Sequence, residues 1–359
     1  MSMYLATTFL LAVSEGFLNG AGSTDRGAGS ITEVKQYQIR GTNYPYVSAQ
    51  AMRKWIRTTV NHLTNQFSYY DRINQKNPTK KDMKNPEGKW VDPITFIEDD
   101  LFGYTHPFYN QPDQPDKKHL AVTFANRSSP YQATALISLP NTASINDYDG
   151  WVNPGMDTSL PFNTQMMSGL FEASTTLDIT RIGVFRNYGD IVELDPYYQE
   201  YYLEEGEIEE VENDTYEEFR RVELNNVRKE AIELYYDSIL NLYGAAKSTL
   251  FATDLTPRLL ITAALSSANN LFHGLVRSKS NGQTSLNSEK LITRLQNRAS
   301  SLQSDVYIGY RTGTFDKKYE SEIQELDGME IENTTYKLVV CSPGVAAKKV
   351  QEQIEDEIV

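Results

Sequence analysis

Apolar positions at the start of the chain form a short continuous run. The ten residues from Tyr4 to Val13 are all aliphatic, aromatic or β-branched, which is typical of a strand buried on both faces. The run is too short to span a bilayer, and no cationic segment precedes it. We therefore expect a buried strand in a cytoplasmic protein that has no contact with a membrane.

A helical period follows further along the chain. An extended stretch from Ile31 to Arg40 leads to Ser48, which stands where a helix N-cap is expected. Apolar residues then recur three and four positions apart, and polar or basic residues share the opposite face. The apolar positions are Met52, Ile56, Val60 and Leu63, and the polar positions are Gln50, Arg53, Lys54 and Arg57. The pattern predicts an amphipathic helix with one basic face.

The remaining patterns alternate between irregular and regular stretches. Residues 65–169 are rich in Pro, Asn, Asp and Tyr and contain only short strand-like runs, which predicts a large irregular insertion. A strand candidate begins at Thr175, and a helical pattern runs from about 222 to 249. Further apolar runs begin near Arg258, Ser304 and Lys337. This order of elements favours an α+β core with appendages.

Charge is distributed unevenly along the chain. The formal net charge of −14 argues against nucleic-acid binding when it is taken as an average. However, thirteen acidic residues and no Lys or Arg lie between Asp190 and Glu218, which leaves −1 for the rest of the chain. Arg26 to Arg57 contains six basic residues and one acid. The average therefore hides a basic stripe and an acidic block, which is expected to be an extended arm or partly disordered.

Residues that bind metals or form disulfides are sparse. The single cysteine, Cys341, excludes an internal disulfide, and the four histidines do not have zinc-like spacing. Glu98, Asp99 and Asp100 are adjacent and cannot all point inward from one face. We expect them on an exposed turn, and we expect neither a metal nor a cofactor.

The glycine-rich segment after the first strand is a candidate anion site. It contains five glycines between Gly16 and Gly29, and consecutive backbone N–H groups can form an anion-binding nest. Its spacing matches neither a Walker motif nor the dinucleotide fingerprint, so a flexible loop is the simpler interpretation. A helix that starts at Ser48 adds free N–H groups and partial positive charge. Together the two segments favour phosphate binding, and a solvated basic helix face remains the alternative.

Two runs in this region carry a family resemblance. NGAGSTDRGAGS from Asn19 and NYPYVSAQAMRKWIR from Asn43 resemble the N-terminal signature of the RAMP superfamily, particularly the DevR-like, type I-B-like branch of the Cas seven family of CRISPR systems. Four later stretches agree in order, and they begin at Glu98, at Asn126, at Leu170 and near Val227. The resemblance therefore covers most of the chain.

The resemblance implies an α+β subunit with the shape of a right hand. Its parts are an RRM-like (ferredoxin-like) palm, an inserted fingers region and an extended thumb. In this sequence the boundaries are 1–64 for the first part of the palm with the RNA-binding loop and helix, 65–169 for the fingers, 170–185 for a palm strand, 186–226 for the acidic thumb and 227–359 for the rest of the palm.

The same resemblance implies a non-catalytic backbone subunit of a type I Cascade complex in antiviral defence. Copies would polymerise as a helical filament along a guide crRNA and support recognition of target DNA. The implied partners are the crRNA, the target DNA strand, further copies of the chain and other Cascade subunits. By position, the residues that would hold the RNA backbone are Asn19, Ser23, Arg26, Ser48, Gln50, Arg53 and Arg57. Phosphate contacts carry no sequence information, which suits a protein that accepts any guide.

Two residue assignments leave alternatives open. Met166 or Met167 would splay the guide, although a methionine pair is more often part of a core. Asp25 raises the rival function of a type III-like, metal-dependent ribonuclease, but a lone carboxylate beside Arg26 is more typical of a loop or ion-pair residue. A free-standing RNA-binding protein is the third interpretation.

Overall fold

The computed structural model describes residues 2–25, 30–66, 68, 91–107, 124–152, 160–246, 252–279 and 283–358. These ranges contain twenty strands and seven α-helices. The strands are β1 (Tyr4–Gly16), β2 (Gly20–Asp25), β3 (Ser30–Val34), β4 (Gln36–Ile39), β5 (Thr42–Val47), β6 (Tyr104–Pro107), β7 (Phe124–Arg127), β8 (Tyr131–Ala133), β9 (Leu136–Ser138), β10 (Ser144–Val152), β11 (Leu160–Asp178), β12 (Val184–Tyr188), β13 (Ile191–Val192), β14 (Ile208–Val211), β15 (Glu217–Arg221), β16 (Pro257–Leu265), β17 (Val276–Ser278), β18 (Thr284–Leu286), β19 (Val306–Tyr310) and β20 (Leu338–Cys341). The helices are α1 (Ala49–Thr64), α2 (Ile97–Phe102), α3 (Pro196–Glu204), α4 (Leu224–Leu240), α5 (Ser288–Asn297), α6 (Lys317–Gln324) and α7 (Pro343–Ile354).

Twelve strands form one large sheet in a mixed α/β fold. Its main path runs β20-β19-β16-β1-β11-β9-β5-β4. β1 is antiparallel to both β11 and β16, and β9 is antiparallel to β11. In sequence, α1 lies between β1 and β9, and α4 lies between β11 and β16. Two β-α-β crossovers are therefore interleaved around the central β1–β11 pair.

Helices cover one face of this sheet. Met52, Ile56 and Val60 of α1 are buried in the same core as residues of α4 and α7, whereas Leu63 is 44% exposed. The predicted helix is confirmed, and its N-cap is Ser48, whose Oγ accepts a hydrogen bond from Ala51 N at 3.4 Å. A second core, which includes residues of β16 and α5, covers part of the other face. Residues 5–11 of β1 are all buried, because both faces of this part of the strand are covered.

The acidic block is folded, so the expectation of an extended or partly disordered arm is wrong. Strands β13-β12-β15-β14 form a separate sheet, and α3 packs beside it. Apolar and aromatic residues recur between the acids at strand and helix spacing and share one core, formed by Ile94, Phe185, Leu194, Tyr198, Tyr202, Ile208 and Phe219. Ten of the thirteen acids point to solvent, and the buried ones are Glu193, Asp195 and Glu218. We call residues 184–221 the acidic module.

Part of the predicted insertion belongs to the main sheet. β8 and β9 both pair with β11, and β11 begins at Leu160 and continues to Asp178. The expected boundary between residues 169 and 170 therefore falls within one strand. Residues 69–90 and 108–123, which make up much of the expected fingers, lie outside the described residues.

Candidate nucleic-acid interface

The start of α1 presents polar groups to solvent and carries no acid in its first turn. Ser48 is half-buried, and Gln50 and Lys54 are exposed. Residues four apart are neighbours on a helix surface, so Gln50 and Lys54 lie on one solvent-facing side. The free N–H groups and the partial positive charge of a helix N-terminus favour anions at this position.

Residues 20–25 of the glycine-rich segment form the strand β2, where a mobile loop was expected. β2 and β3 pair antiparallel, and the register shifts between Gly20 and Gly22. Gly22 has a φ of +115°, a region that favours glycine. The side chains of Ser23 and Asp25 and the whole of Arg26 lie outside the described residues, so these three assignments stay predictions.

Backbone hydrogen bonds connect the glycine-rich segment to the start of α1. Lys35 N donates to Asn19 O, and Tyr46 N donates to Lys35 O, each at 3.1 Å. Tyr46 is two residues before Ser48. These bonds connect the segment of Asn19, through Lys35, to the strand that leads into α1.

A side-chain contact brings the methionine pair to the same region. The Oε1 atom of Gln165 accepts a hydrogen bond from Val34 N at 3.1 Å. Met167 is fully buried in the main core, and Met166, on the opposite face of β11, is half-buried. Burial assigns Met167 to packing, so Met166 is the member of the pair that retains the predicted guide-splaying role.

The side chain of Asn19 is one of several in the described residues that have a buried polar atom without a hydrogen bond. Its Nδ2 atom is buried and makes no hydrogen bond among the described residues. A buried donor without a partner costs about 1–3 kcal/mol. Such a group calls for a specific explanation.

Arg53 lies partly inside the protein. Its Nη2 atom donates to Phe102 O, at the end of α2, at 2.8 Å. Burial lowers the pKa of Arg53 from its ordinary value, and its Nε atom has no hydrogen-bond partner among the described residues. The side chain therefore anchors α2 to α1 and keeps one unused donor.

Arg57, a member of the predicted RNA-binding set, is held by two carboxylates of the protein itself. Its Nε donates to Glu98 Oε2 and its Nη2 donates to Asp99 Oδ1, both at 2.8 Å, and its side chain is 13% exposed. Two carboxylates thus neutralise the guanidinium. A phosphate would have to displace both of them, so the structure assigns Arg57 to an internal ion cluster.

The three adjacent acids are not on an exposed turn, and that expectation is wrong. Glu98, Asp99 and Asp100 are 2%, 0% and 1% exposed. They belong to the short helix α2, where the first two face Arg57 and the third faces Arg127. Burial raises the pKa of Asp99 to about 7, and the positive charge of Arg57 opposes that rise. Arginines on two sides of α2 allow all three acids to be buried.

Arg127 connects α2 to the acidic module, and sequence reasoning missed this residue. Its side chain is 0% exposed and forms ion pairs with Asp100 and with Glu193. Its guanidinium also donates to Val184 O at 2.9 Å and to Arg181 O at 2.6 Å. Its partners are 27 to 66 residues away in sequence, so no local pattern could have identified the network.

The described residues contain neither a cluster of metal-binding side chains nor a membrane-spanning helix. In the part of the chain that the structure describes, there is no group of three or more His, Cys, Asp or Glu side chains that could bind a metal ion. Within the same part of the chain, no helix is both long and apolar enough to cross a membrane.

The solved structures with a similar fold include chains from two CRISPR complexes. One is a chain of a "CRISPR RNA-guided surveillance complex, pre-nicking", with 8% sequence identity, a TM-score of 0.48, and coverage of 98% of this chain and 99% of that one. The other is a chain of a "CRISPR RNA-guided surveillance complex", with 10% identity, a TM-score of 0.46, and coverage of 97% and 99%. No protein-family model and no curated protein matches the sequence.

Proposed function

We propose that this chain is a non-catalytic, guide-RNA-binding backbone subunit of a type I CRISPR surveillance complex. The observation that carries the proposal is the hydrogen-bonded path from Asn19 through Lys35 to Tyr46 and the start of α1. This path joins the two sequence runs that most resemble the Cas seven signature. It links the segment that contains Asn19 to the segment that leads into α1.

The sheet supports the same proposal. The strand order β16-β1-β11-β9, with crossovers through α1 and α4, corresponds to the β-α-β-β-α-β order of an RRM-like palm. In this account β12 to β15 and α3 form the thumb. The ordered acidic surface of the thumb repels phosphate and contacts the basic stripe of a neighbouring copy.

The residues proposed to hold the RNA backbone differ from the set predicted from the sequence at one position of α1. Lys54 takes the place of Arg57 as the exposed cation of the helix. The members that stay in the set are Asn19, Ser23, Arg26, Ser48 and Gln50. The Nδ2 atom of Asn19 acquires its missing acceptor from a phosphate or ribose oxygen. Arg53 positions α2 and offers its Nε to the same ligand.

Salt-dependent RNA binding tests this proposal. Unrelated single-stranded RNA sequences should bind with similar affinity, because the contacts are to phosphates. Lys54→Ala should lower the magnitude of the log-affinity against log-salt slope by about 0.7, the contribution of one single-strand phosphate contact.

The matched control is Lys348→Ala, which removes an exposed lysine from α7, where it pairs with Glu352 at 3.6 Å. That slope should stay at the wild-type value. Equal slopes in all three proteins would remove α1 from the RNA interface, and strong preference for one RNA sequence would contradict a guide-neutral backbone.

A further inference from the structure

The hairpin of β4 and β5 lies at one edge of the large sheet and carries three tyrosines on one face. Tyr37 pairs directly across the hairpin with Tyr44. Their rings are stacked, with centroids 5.5 Å apart and an angle of 23° between the planes. The ring of Tyr46 meets Tyr37 edge-on, also at 5.5 Å. We call these three residues the tyrosine platform.

The platform faces away from the helical core. Successive side chains of a strand point to opposite faces, and the alternate residues Pro45 and Val47 are buried, the latter in the core that contains α1. All three tyrosines are half-buried, so part of each ring is accessible to solvent. The platform thus occupies the sheet face that α1, α4 and α7 leave uncovered.

A tight turn fixes the shape of the hairpin. Ile39 pairs with Thr42, and the two residues between them, Arg40 and Gly41, have φ values of +49° and +82°. Two positive φ values in a two-residue loop match the twist of the strands. The tyrosines are therefore held in place before any ligand arrives.

The hairpin that carries the platform, together with its flanking residues, is positively charged. Lys35 is half-buried beside Tyr46, to which its carbonyl is hydrogen-bonded, and Arg40 is exposed at the turn. No Asp or Glu occurs from residue 34 to residue 50. An aromatic surface flanked by cations complements a strand that combines flat bases with anionic phosphates. Cross-strand aromatic pairs also stabilise hairpins, but that role does not require cations or accessible rings.

We propose that the tyrosine platform stacks unpaired bases of a single-stranded nucleic acid. Lys35 and Arg40 contact the flanking phosphates. Stacking accepts every base because each has a π-face, so this contact is compatible with a subunit that binds any guide. The identification of the ligand as RNA rests on the proposed function. The stacking contact itself is a separate claim, because the backbone site at α1 requires no bases.

An abasic oligonucleotide separates base contacts from phosphate contacts in the unmodified protein. Binding of a short oligouridylate is compared with binding of an abasic strand of equal length and charge at one salt concentration. We expect the oligouridylate to bind roughly 5- to 150-fold more tightly for each base stacked. Equal affinities would overturn the platform and leave the proposed function intact, whereas failure to bind either strand would overturn both.

Two substitutions then locate the base contact. Tyr44→Leu keeps an apolar side chain and removes the ring, whereas Tyr44→Phe keeps the ring and removes only the hydroxyl group. We expect the leucine variant to lose most of the preference for the oligouridylate and the phenylalanine variant to keep it, with far-UV circular dichroism unchanged in both. If the leucine variant binds RNA normally but self-associates less, the platform is a protein interface and the inference is wrong.

Discussion

Replacing Arg127 with methionine tests the account of the internal ion cluster. Methionine fills similar space but cannot donate to Asp100, to Glu193 or to the carbonyl groups of Val184 and Arg181, which Arg127 contacts from a site that is 0% exposed. Removing one partner of a buried ion pair leaves the other charge without compensation. The substitution should therefore loosen the junction between α2 and the acidic module.

The expected magnitude follows from what each carboxylate retains. Glu193 keeps Arg181, whose Nη2 donates to it at 2.7 Å, whereas the hydrogen bond that Asp100 keeps comes from a backbone donor, Gly183 N, at 2.7 Å. The uncompensated charge is thus chiefly that of Asp100. Breaking one such pair costs about 3–5 kcal/mol, a large part of the roughly 5–15 kcal/mol that stabilises a typical domain.

Urea denaturation followed by fluorescence measures this loss, and hydrogen exchange identifies where it occurs. Protection should fall first in α2 and β12. Lys348→Ala is the control, because an exposed pair contributes at most about 1 kcal/mol. If Arg127→Met and the control both lose less than about 1 kcal/mol, the reasoning about the cluster is refuted.

Three further predictions follow from the same structure. Asp99→Asn should remove a pH-dependent contribution to the free energy of unfolding. The pKa of Asp99 rises from the ordinary 3.8 to about 7 on folding. The free energy of unfolding of the wild type should therefore fall by up to about 1.4 kcal/mol per pH unit between pH 4 and pH 7. If the melting temperatures of the wild type and the variant depend on pH in the same way, this prediction is contradicted. Changing the exposed Glu205, Glu210 and Glu212 to Gln should preserve the melting temperature and shorten assemblies in size-exclusion chromatography; assemblies of normal length would show that the module is only solvated. Asp25→Ala should keep guide binding, and the wild-type complex with Mg²⁺ should leave complementary RNA intact. If the wild-type complex cuts that RNA at regular intervals and the variant does not, the ribonuclease alternative is established.

Elements with a strong local period were predictable from the sequence. The apolar run from Tyr4 became β1, and Ser48 is the N-cap that the sequence predicted. Three of the four apolar positions predicted for α1 are buried, and Leu63 is the exception. These features depend on side-chain periodicity and capping, which act over a few residues. The acidic block was misjudged because its net charge concealed an apolar face supplied by residues such as Tyr202 and Phe219.

Long-range charge pairing could not be predicted in the same way. Arg57 meets Glu98 across 41 residues, and Arg127 meets Asp100 across 27. Local spacing made the acids appear exposed and left Arg57 free for RNA. Only the fold brings the partners together, and for this reason the basic face of α1 is smaller than the sequence suggested. The tyrosine platform was also missed, because its pairing depends on the register of a hairpin.

Purification of the chain expressed together with a CRISPR array tests the central claim most directly. The ratio of absorbance at nucleic-acid and protein wavelengths is followed across a size-exclusion peak, and any bound RNA is sequenced. The proposed function predicts a species with the mass of several copies that carries RNA containing repeat-derived sequence. A single copy that elutes without RNA, or with random cellular RNA only, would contradict it.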